Sequence, residues 1–448
     1  MIADSKFSRR KFLGGSVATA LGVAAAGLLS SRADAQQARS GTGRPAPGGP
    51  APSLEDLKLA GAPDEAYWRK VRSQFDIVGG LTFLNNGTLG PVPRYVGEFH
   101  ERWDRTLSED PTNSFRSAEL DVVRRKIAGF VNAGPDEVAL TRSTTEGMNI
   151  FAHGLSWKAG DEVIVSTLEH FGATDAYKGL EQRFEIKSVT IDLPPIPESV
   201  EQVVAAYEKA ITANTRVIVA SHVAYINGLI LPIKELADLA HSRGILLSVD
   251  GAQSFGALPL DVKAAELDHY AAPGQKWLLA GTGTGFMYIR KDLQDKVLPL
   301  MGAYSPGGRR AGGPPPNPSA RRYEQNGQYN IPGALGIGAA VDFQQAVGKA
   351  NIEARARELG TRLRSGLKEI RGVKLWTSAD PRFSANLTTF AVGDQPAQDV
   401  AKALLDKAGI VVRTVHTDEI NGIRVSTHFY NHPGEVDRLL GEVRALAG

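Results

Sequence analysis

Two rhythms of hydrophobic and polar residues alternate along most of this chain. Short, nearly unbroken apolar runs at Glu137–Leu140, Glu162–Ser166, Arg216–Ser221, Ile245–Val249 and Gly285–Arg290 predict strands buried on both faces. Between them, apolar residues recur at helical spacing near Thr145–Leu155, Val200–Ala213 and Ile233–Arg243, which predicts amphipathic helices. Strands alternating with helices predict an α/β fold whose mostly parallel sheet is flanked by helices. Ligands in such sheets sit beyond the carboxyl ends of the strands, so the residues that follow each run are the candidates for chemistry. Met301–Pro318 is dense in Gly and Pro and reads as a long loop, after which a helical pattern resumes near Pro332. The αβ-type segment from Asn351 onward predicts a smaller second domain. The expected boundaries are 54–350 for the large domain with its N-terminal segment and 351–448 for the small one.

The start of the chain breaks this pattern. Ser8-Arg9-Arg10-Lys11-Phe12-Leu13 precedes a small, apolar stretch, Gly14–Leu29, and Ala33-Asp34-Ala35 offers a cleavage site. The paired arginines resemble a twin-arginine signal peptide over 1–35, which implies the Tat export machinery as a partner and a periplasmic or exported protein. The apolar stretch is shorter than the roughly 20 residues a membrane span needs, which favours a cleaved signal over an anchor. Residues 36–53 are rich in Gly, Pro and Ala and read as a disordered leader.

Composition narrows the function. The 448 residues carry a net charge of +2, and the first 35 hold five Lys/Arg against two Asp. The remainder has no basic excess, so a nucleic-acid partner is not expected. The chain has no cysteine, which excludes disulfides, thiolate metal sites and a cysteine nucleophile.

Chemistry-bearing residues follow the predicted strands in succession. Lys276 lies between a strand-like segment and the glycines Gly281, Gly283 and Gly285. A lysine that attacks an aldehyde needs partial desolvation, which lowers its pKa and frees its lone pair. Asp250 ends the run Ile245–Val249, at a depth costly for a carboxylate unless it is paired or caps a helix. An acid beside a pyridine nitrogen and a lysine beside an aldehyde are the two halves of pyridoxal 5'-phosphate (PLP) chemistry. Thr144 and Thr145 open a helix, either as a phosphate cradle or as a plain cap. His170 follows the next run, as a ring stacked on a planar cofactor or as a hydrogen-bonded loop residue. His222 follows Ser221, as a donor to a phenolate-like oxygen or as a structural residue.

The order of these motifs is similar to that of class V aminotransferase-fold enzymes of PLP fold type I, with isopenicillin N epimerase-like proteins and the cysteine desulfurase group as nearest kin. The resemblance runs from Leu84-Asn85-Asn86-Gly87 to the end and is most specific in Arg142-Ser-Thr-Thr-Glu146, Asp250-Gly-Ala-Gln253, Gly274-Gln-Lys276-Trp277 and Arg424-Val-Ser-Thr-His-Phe-Tyr-Asn431. It implies that Lys276 binds the cofactor and later moves protons, that Asp250 pairs with the pyridine nitrogen and that His170 stacks on the ring. It further implies Thr144 and Thr145 at the phosphate, Gln253 and His222 near the ring oxygen, and Asn86 in the substrate site. Arg413 matches a substrate-carboxylate arginine, with Arg424 as the competing candidate or a structural residue behind it. Gln275 stands where these relatives carry histidine, and Gln328 where they carry a threonine that reaches the neighbouring subunit's phosphate. The family implies a homodimer, with the 301–330 segment reaching the partner's site. The implied activity is proton chemistry at the α-carbon of an amino acid or related amine, as an aminotransferase or an epimerase. A C–S lyase without a cysteine persulfide is the alternative, and a non-catalytic binding protein of this fold a further one.

Overall fold

A computed structural model describes residues 53–448 apart from 60, 115, 116, 302–318, 325, 326, 328 and 329. The expected signal, nearly all of the leader, the body of the Gly/Pro loop and Gln328 therefore lie outside the described residues. Residues 52–448 form one compact unit.

The unit begins with helix α1 (Glu65–Arg72), the short strand β1 (Thr82–Phe83) and helices α2 (Arg94–Glu109) and α3 (Ser117–Val131). The predicted alternation follows: β2 (Val138–Thr141), α4 (Thr144–Gly154), β3 (Glu162–Ser166), α5 (Phe171–Phe184), β4 (Lys187–Ile191), α6 (Val200–Ala210), β5 (Thr215–Ser221), α7 (Ile233–Ser242), β6 (Leu246–Asp250), β7 (His269–Pro273) and β8 (Gly285–Ile289). Among the described residues these strands make a seven-stranded sheet in the order β2-β8-β7-β6-β5-β3-β4. The five strands from β7 to β4 run parallel, and only β8 runs against its neighbours. The expected mostly parallel α/β fold is thus borne out.

Burial on both faces explains why the strands read as unbroken apolar runs. Successive residues serve opposite layers: in β5, Ile218 and Ala220 pack into one core cluster while Val217 and Val219 pack into the other. Strand β4 lacks this signature because Lys187 and Thr190 are exposed at the sheet edge.

After α8 (Ile331–Val347) and α9 (Lys349–Lys368), strands β9 (Val373–Leu375) and β10 (Leu387–Val392) lead to α10 (Ala397–Ala408). Strands β11 (Ile410–Val411), β12 (Arg413–His416) and β13 (Asn421–Ser426) and helix α11 (Pro433–Ala447) complete the chain. A four-stranded antiparallel sheet, β12-β13-β10-β9, packs its apolar face on α9, α10 and α11 around Leu359, Leu363, Leu404 and Leu439. Strand β1 pairs with β11, which ties the N-terminal segment to the C-terminal part of the unit.

Candidate active site

Residues after the carboxyl ends of β3, β5, β6 and β7, joined by the start of α4, make one site. Ser221, Asp250 and Ala271 lie side by side in register, so Asp250 stands at the centre of the sheet edge. His222 follows β5, His170 follows β3, and Lys276 follows β7 by way of Gly274 and Gln275.

The turn that carries Lys276 is held by its backbone. The Gly90 N–H donates to the Gln275 carbonyl at 2.9 Å, and Asn86 Nδ2 donates to the Lys276 carbonyl at 3.4 Å. One residue on, the Trp277 carbonyl accepts from Gln344 Nε2 at 2.6 Å and contacts His428 Nε2 at 2.9 Å. Only glycine fits at 90, where a Cβ would collide with the Lys276 carbonyl. Gly256, at φ +87°, lets the chain pass within 2.6 Å of the Trp277–Leu278 backbone, measured to the Cβ that another residue would carry. Burial draws the Lys276 amine down from 10.5 to about 8; Asp250 opposes the shift, and the charges of Arg424 and Arg413 reinforce it. A fraction of the amine is therefore neutral and nucleophilic near pH 7.

Asp250 is buried, and one of its oxygens accepts the Ala252 N–H at 2.7 Å. Burial raises its pKa, while that hydrogen bond and Lys276 lower it. Beside it lies an acid to which the sequence reading assigned no function. Glu169 is buried, accepts Ser166 Oγ at 3.0 Å and Ser221 Oγ at 2.6 Å, and is pushed up to about 7, chiefly by burial and further by Asp250.

His170 caps α5, with its Nδ1 accepting the Gly172 N–H at 3.0 Å. That bond fixes the proton on Nε2 of the neutral ring. Burial, and then Lys276, Arg424 and Arg413, hold the ring down at about 4. Tyr225 stands edge-on to it, with ring centres 4.8 Å apart. His222 is buried and kept neutral by burial, at about 4, and its Nδ1 has no protein partner.

Thr144 is the first residue of α4, and its buried hydroxyl also lacks a partner. The cap itself is Ser143, which accepts the Glu146 N–H at 3.1 Å. Thr145 is exposed, with its hydroxyl against Gly172 at the start of α5, so two helix N-termini meet here. Gln275 accepts the Thr284 N–H through its side-chain oxygen at 3.3 Å.

Two residues expected at the ligand also hydrogen-bond to the protein. Gln253 donates to the Gly87 carbonyl at 2.9 Å and accepts from Trp277 Nε1 at 2.9 Å, which uses both ends of its amide. Asn86 spans from Lys276 to the Tyr430 hydroxyl, which donates to its oxygen at 3.1 Å. Both steady the lysine turn. Glu324, three residues before Gly327, is buried, pairs with Arg124 and accepts the Leu140 N–H at 2.8 Å, which ties it to β2.

The two competing arginines lie together. Arg413 on β12 and Arg424 on β13 are direct cross-strand partners. Arg424 is 3 % exposed and donates to the Tyr225 carbonyl at 2.9 Å and to Thr88 Oγ1 at 3.1 Å, while its Nε–H has no partner. Burial, and then Arg413, lower its pKa to about 10. Tyr225 and Thr88 escaped the sequence reading. The cue for Tyr225 was its place just beyond the end of β5, whereas Thr88 is joined to Arg424 only by the fold.

Known proteins resemble this chain in sequence and in fold. A family model described as aminotransferase class-V matches residues 98–439. A probable cysteine desulfurase of Methanothermobacter thermautotrophicus is 30% identical over 84% of this chain and 98% of its own length. An isopenicillin N epimerase of Amycolatopsis lactamdurans is 31% identical over 85% of this chain and 98% of its own. The cystine C–S lyase C-DES, solved with its product cysteine persulfide, is 25% identical with a TM-score of 0.75, covering 83% of this chain and 99% of that one. A second C-DES structure, with glycine covalently linked to its PLP cofactor, matches in fold at 24% identity and a TM-score of 0.76, over 86% and 99% of the two chains. On the family match and on relatives about 30% identical over most of its length, the chain belongs to the class V aminotransferase family.

Proposed function

We propose that this protein is a PLP-dependent enzyme acting at the α-carbon of an amino acid or related amine, as an aminotransferase or an epimerase. The observation that carries the reading is the convergence of a depressed lysine, a buried aspartate and a neutral histidine at the carboxyl ends of β7, β6 and β3, flanked by two arginines. The residues fit the cofactor: Thr144 and His222 each hold a buried polar atom without a partner, and the Lys276 amine is partly neutral. When bound, PLP supplies an aldehyde that condenses with amines and a ring that takes up the electrons released at Cα.

The chain's own residues supply the rest. Asp250, desolvated and within reach of Lys276, holds a positive charge at the pyridine nitrogen. His170 offers a flat, neutral ring. The N-terminus of α4, with Thr144 and Thr145, would bind phosphate, and Gln275 would stand in for the histidine of relatives as a hydrogen-bonding group. By the resemblance, Gln328 would take the role of the threonine that serves the neighbouring subunit's phosphate. The Lys276 amine would take the α-proton, and whether a proton then returns at another carbon or on the opposite face of Cα would decide between transamination and inversion. A lyase that merely eliminates a sulfur group is the second reading, favoured by the likeness to C-DES. A desulfurase that stores sulfur on its own cysteine is ruled out, because the chain has none.

Proton NMR of the PLP-loaded protein in heavy water, with L- and D-amino acids, tests the reading. Loss of an α-proton signal is the expected result, and the product separates inversion, keto-acid formation and elimination. Absence of exchange on every amino acid would remove it.

The twin-arginine pattern supports export in a folded state, with PLP taken up beforehand. Mature periplasmic protein isolated without PLP would contradict that route. The resemblance supports a homodimer, checked by light scattering, with the 301–330 segment at the partner's site. The separate antiparallel sheet supports a division into 54–350 and 351–448.

A further inference from the structure

The site holds more positive charge than a single carboxylate requires. Arg413 and Arg424 face each other across an antiparallel pair, where directly opposed side chains lie on one face about 5 Å apart at Cβ. Like charges so placed destabilise the sheet, and a carboxylate from the protein would relieve them. None does: among the described residues, the Arg424 side chain bonds only to neutral oxygens, and the Arg413 side chain makes no hydrogen bond or ion pair. The charged and polar groups that act on Arg424 are Arg413 and Tyr225, with no carboxylate among them.

The two guanidiniums differ in what they can take. Arg424 is buried and fixed by Tyr225, Thr88 and Asn85, and its buried Nε–H has no partner. A single carboxylate at that Nε–H completes its hydrogen bonding. Arg413 is exposed at the rim, and all its donors remain free. Its charge reaches Lys276, His170 and Arg424, so it belongs to the same site.

We propose that the substrate is a dicarboxylic α-amino acid, with its α-carboxylate on Arg424 and its side-chain carboxylate on Arg413. This rests on the α-carbon reading above.

The test compares α-proton exchange by the PLP-loaded protein on glutamate, 2-aminoadipate and aspartate with glutamine, norvaline and cysteine. The expected kcat/KM for the best acidic member exceeds that of its neutral counterparts by roughly tenfold to a hundredfold, the range for a hydrogen-bonded charge. Arg413→Gln collapses that ratio and Arg413→Lys restores part of it, whereas Arg424→Gln weakens acidic and neutral members alike. Calorimetry on the wild-type holoprotein gives a second readout, with glutarate binding more tightly than pentanoate and losing the advantage at high salt. Equal turnover of acidic and neutral amino acids, or a preference for cysteine, would overturn the inference while leaving the α-carbon reading intact. Arg413-dependent glutarate binding without exchange on any amino acid would uphold the subsite and overturn the α-carbon reading.

Discussion

Two buried titratable residues at the site set opposite pH dependences. The Lys276 amine falls from 10.5 to about 8, so below pH 8 it is charged in folded and unfolded chains alike and the cost of burying it is fully present. That cost fades as pH rises from 8 to 10.5, because the unfolded chain then binds more protons. Lys276→Met should therefore stabilise the PLP-free protein by about 2–3 kcal/mol at pH 7 while abolishing α-proton exchange, as read by urea unfolding and NMR. Glu169 rises from 4.5 to about 7, so its contribution is intact below pH 4.5 and lost as pH climbs to 7. Glu169→Gln keeps partners for Ser166 and Ser221 and should add about 2–3 kcal/mol at pH 8 but little at pH 4.5. Equal gains at both pH values would count against a buried, titrating acid. The residue types of the site were legible in the sequence because each follows an apolar run. The engagement of Gln253 by Gly87 and Trp277 was not, since an amide shows its partners only once distant segments meet.

At the scale of elements, the lysine turn depends on close backbone contact. Gly90→Ala would drive a methyl into the Lys276 carbonyl and displace the turn. The expected cost is about 1–3 kcal/mol in stability, with a larger fractional loss of PLP affinity, measured by thermal unfolding and by titration of the cofactor absorbance. Unchanged affinity would show that the turn tolerates the shift. Strands buried on both faces announced themselves, and their predicted bounds agree with β2, β3, β5, β6 and β8 to within about a residue. Strand β4 did not, because Lys187 and Thr190 at the edge break its apolar run. The antiparallel course of β8 was hidden too, since direction is set by the loop from Lys276 to Thr284 and not by hydrophobicity. The hairpin β12–β13 shows what spacing did not: its register sets Arg413 against Arg424, so the two candidates are neighbours.

At the scale of the molecule, the lysine turn is held from both ends of the chain. Asn86, near the start of the described unit, holds the Lys276 carbonyl, and Tyr430, near its end, holds Asn86. Arg424 reaches back to Thr88 in the same way. Tyr430 and Asn86 stand 344 positions apart along the chain, so the turn is fixed only once distant segments have met. A chain refolding from denaturant should therefore regain helix before it regains PLP binding, as read by circular dichroism and cofactor fluorescence. The site is assembled late in folding, and uptake of the cofactor marks a chain that has completed it.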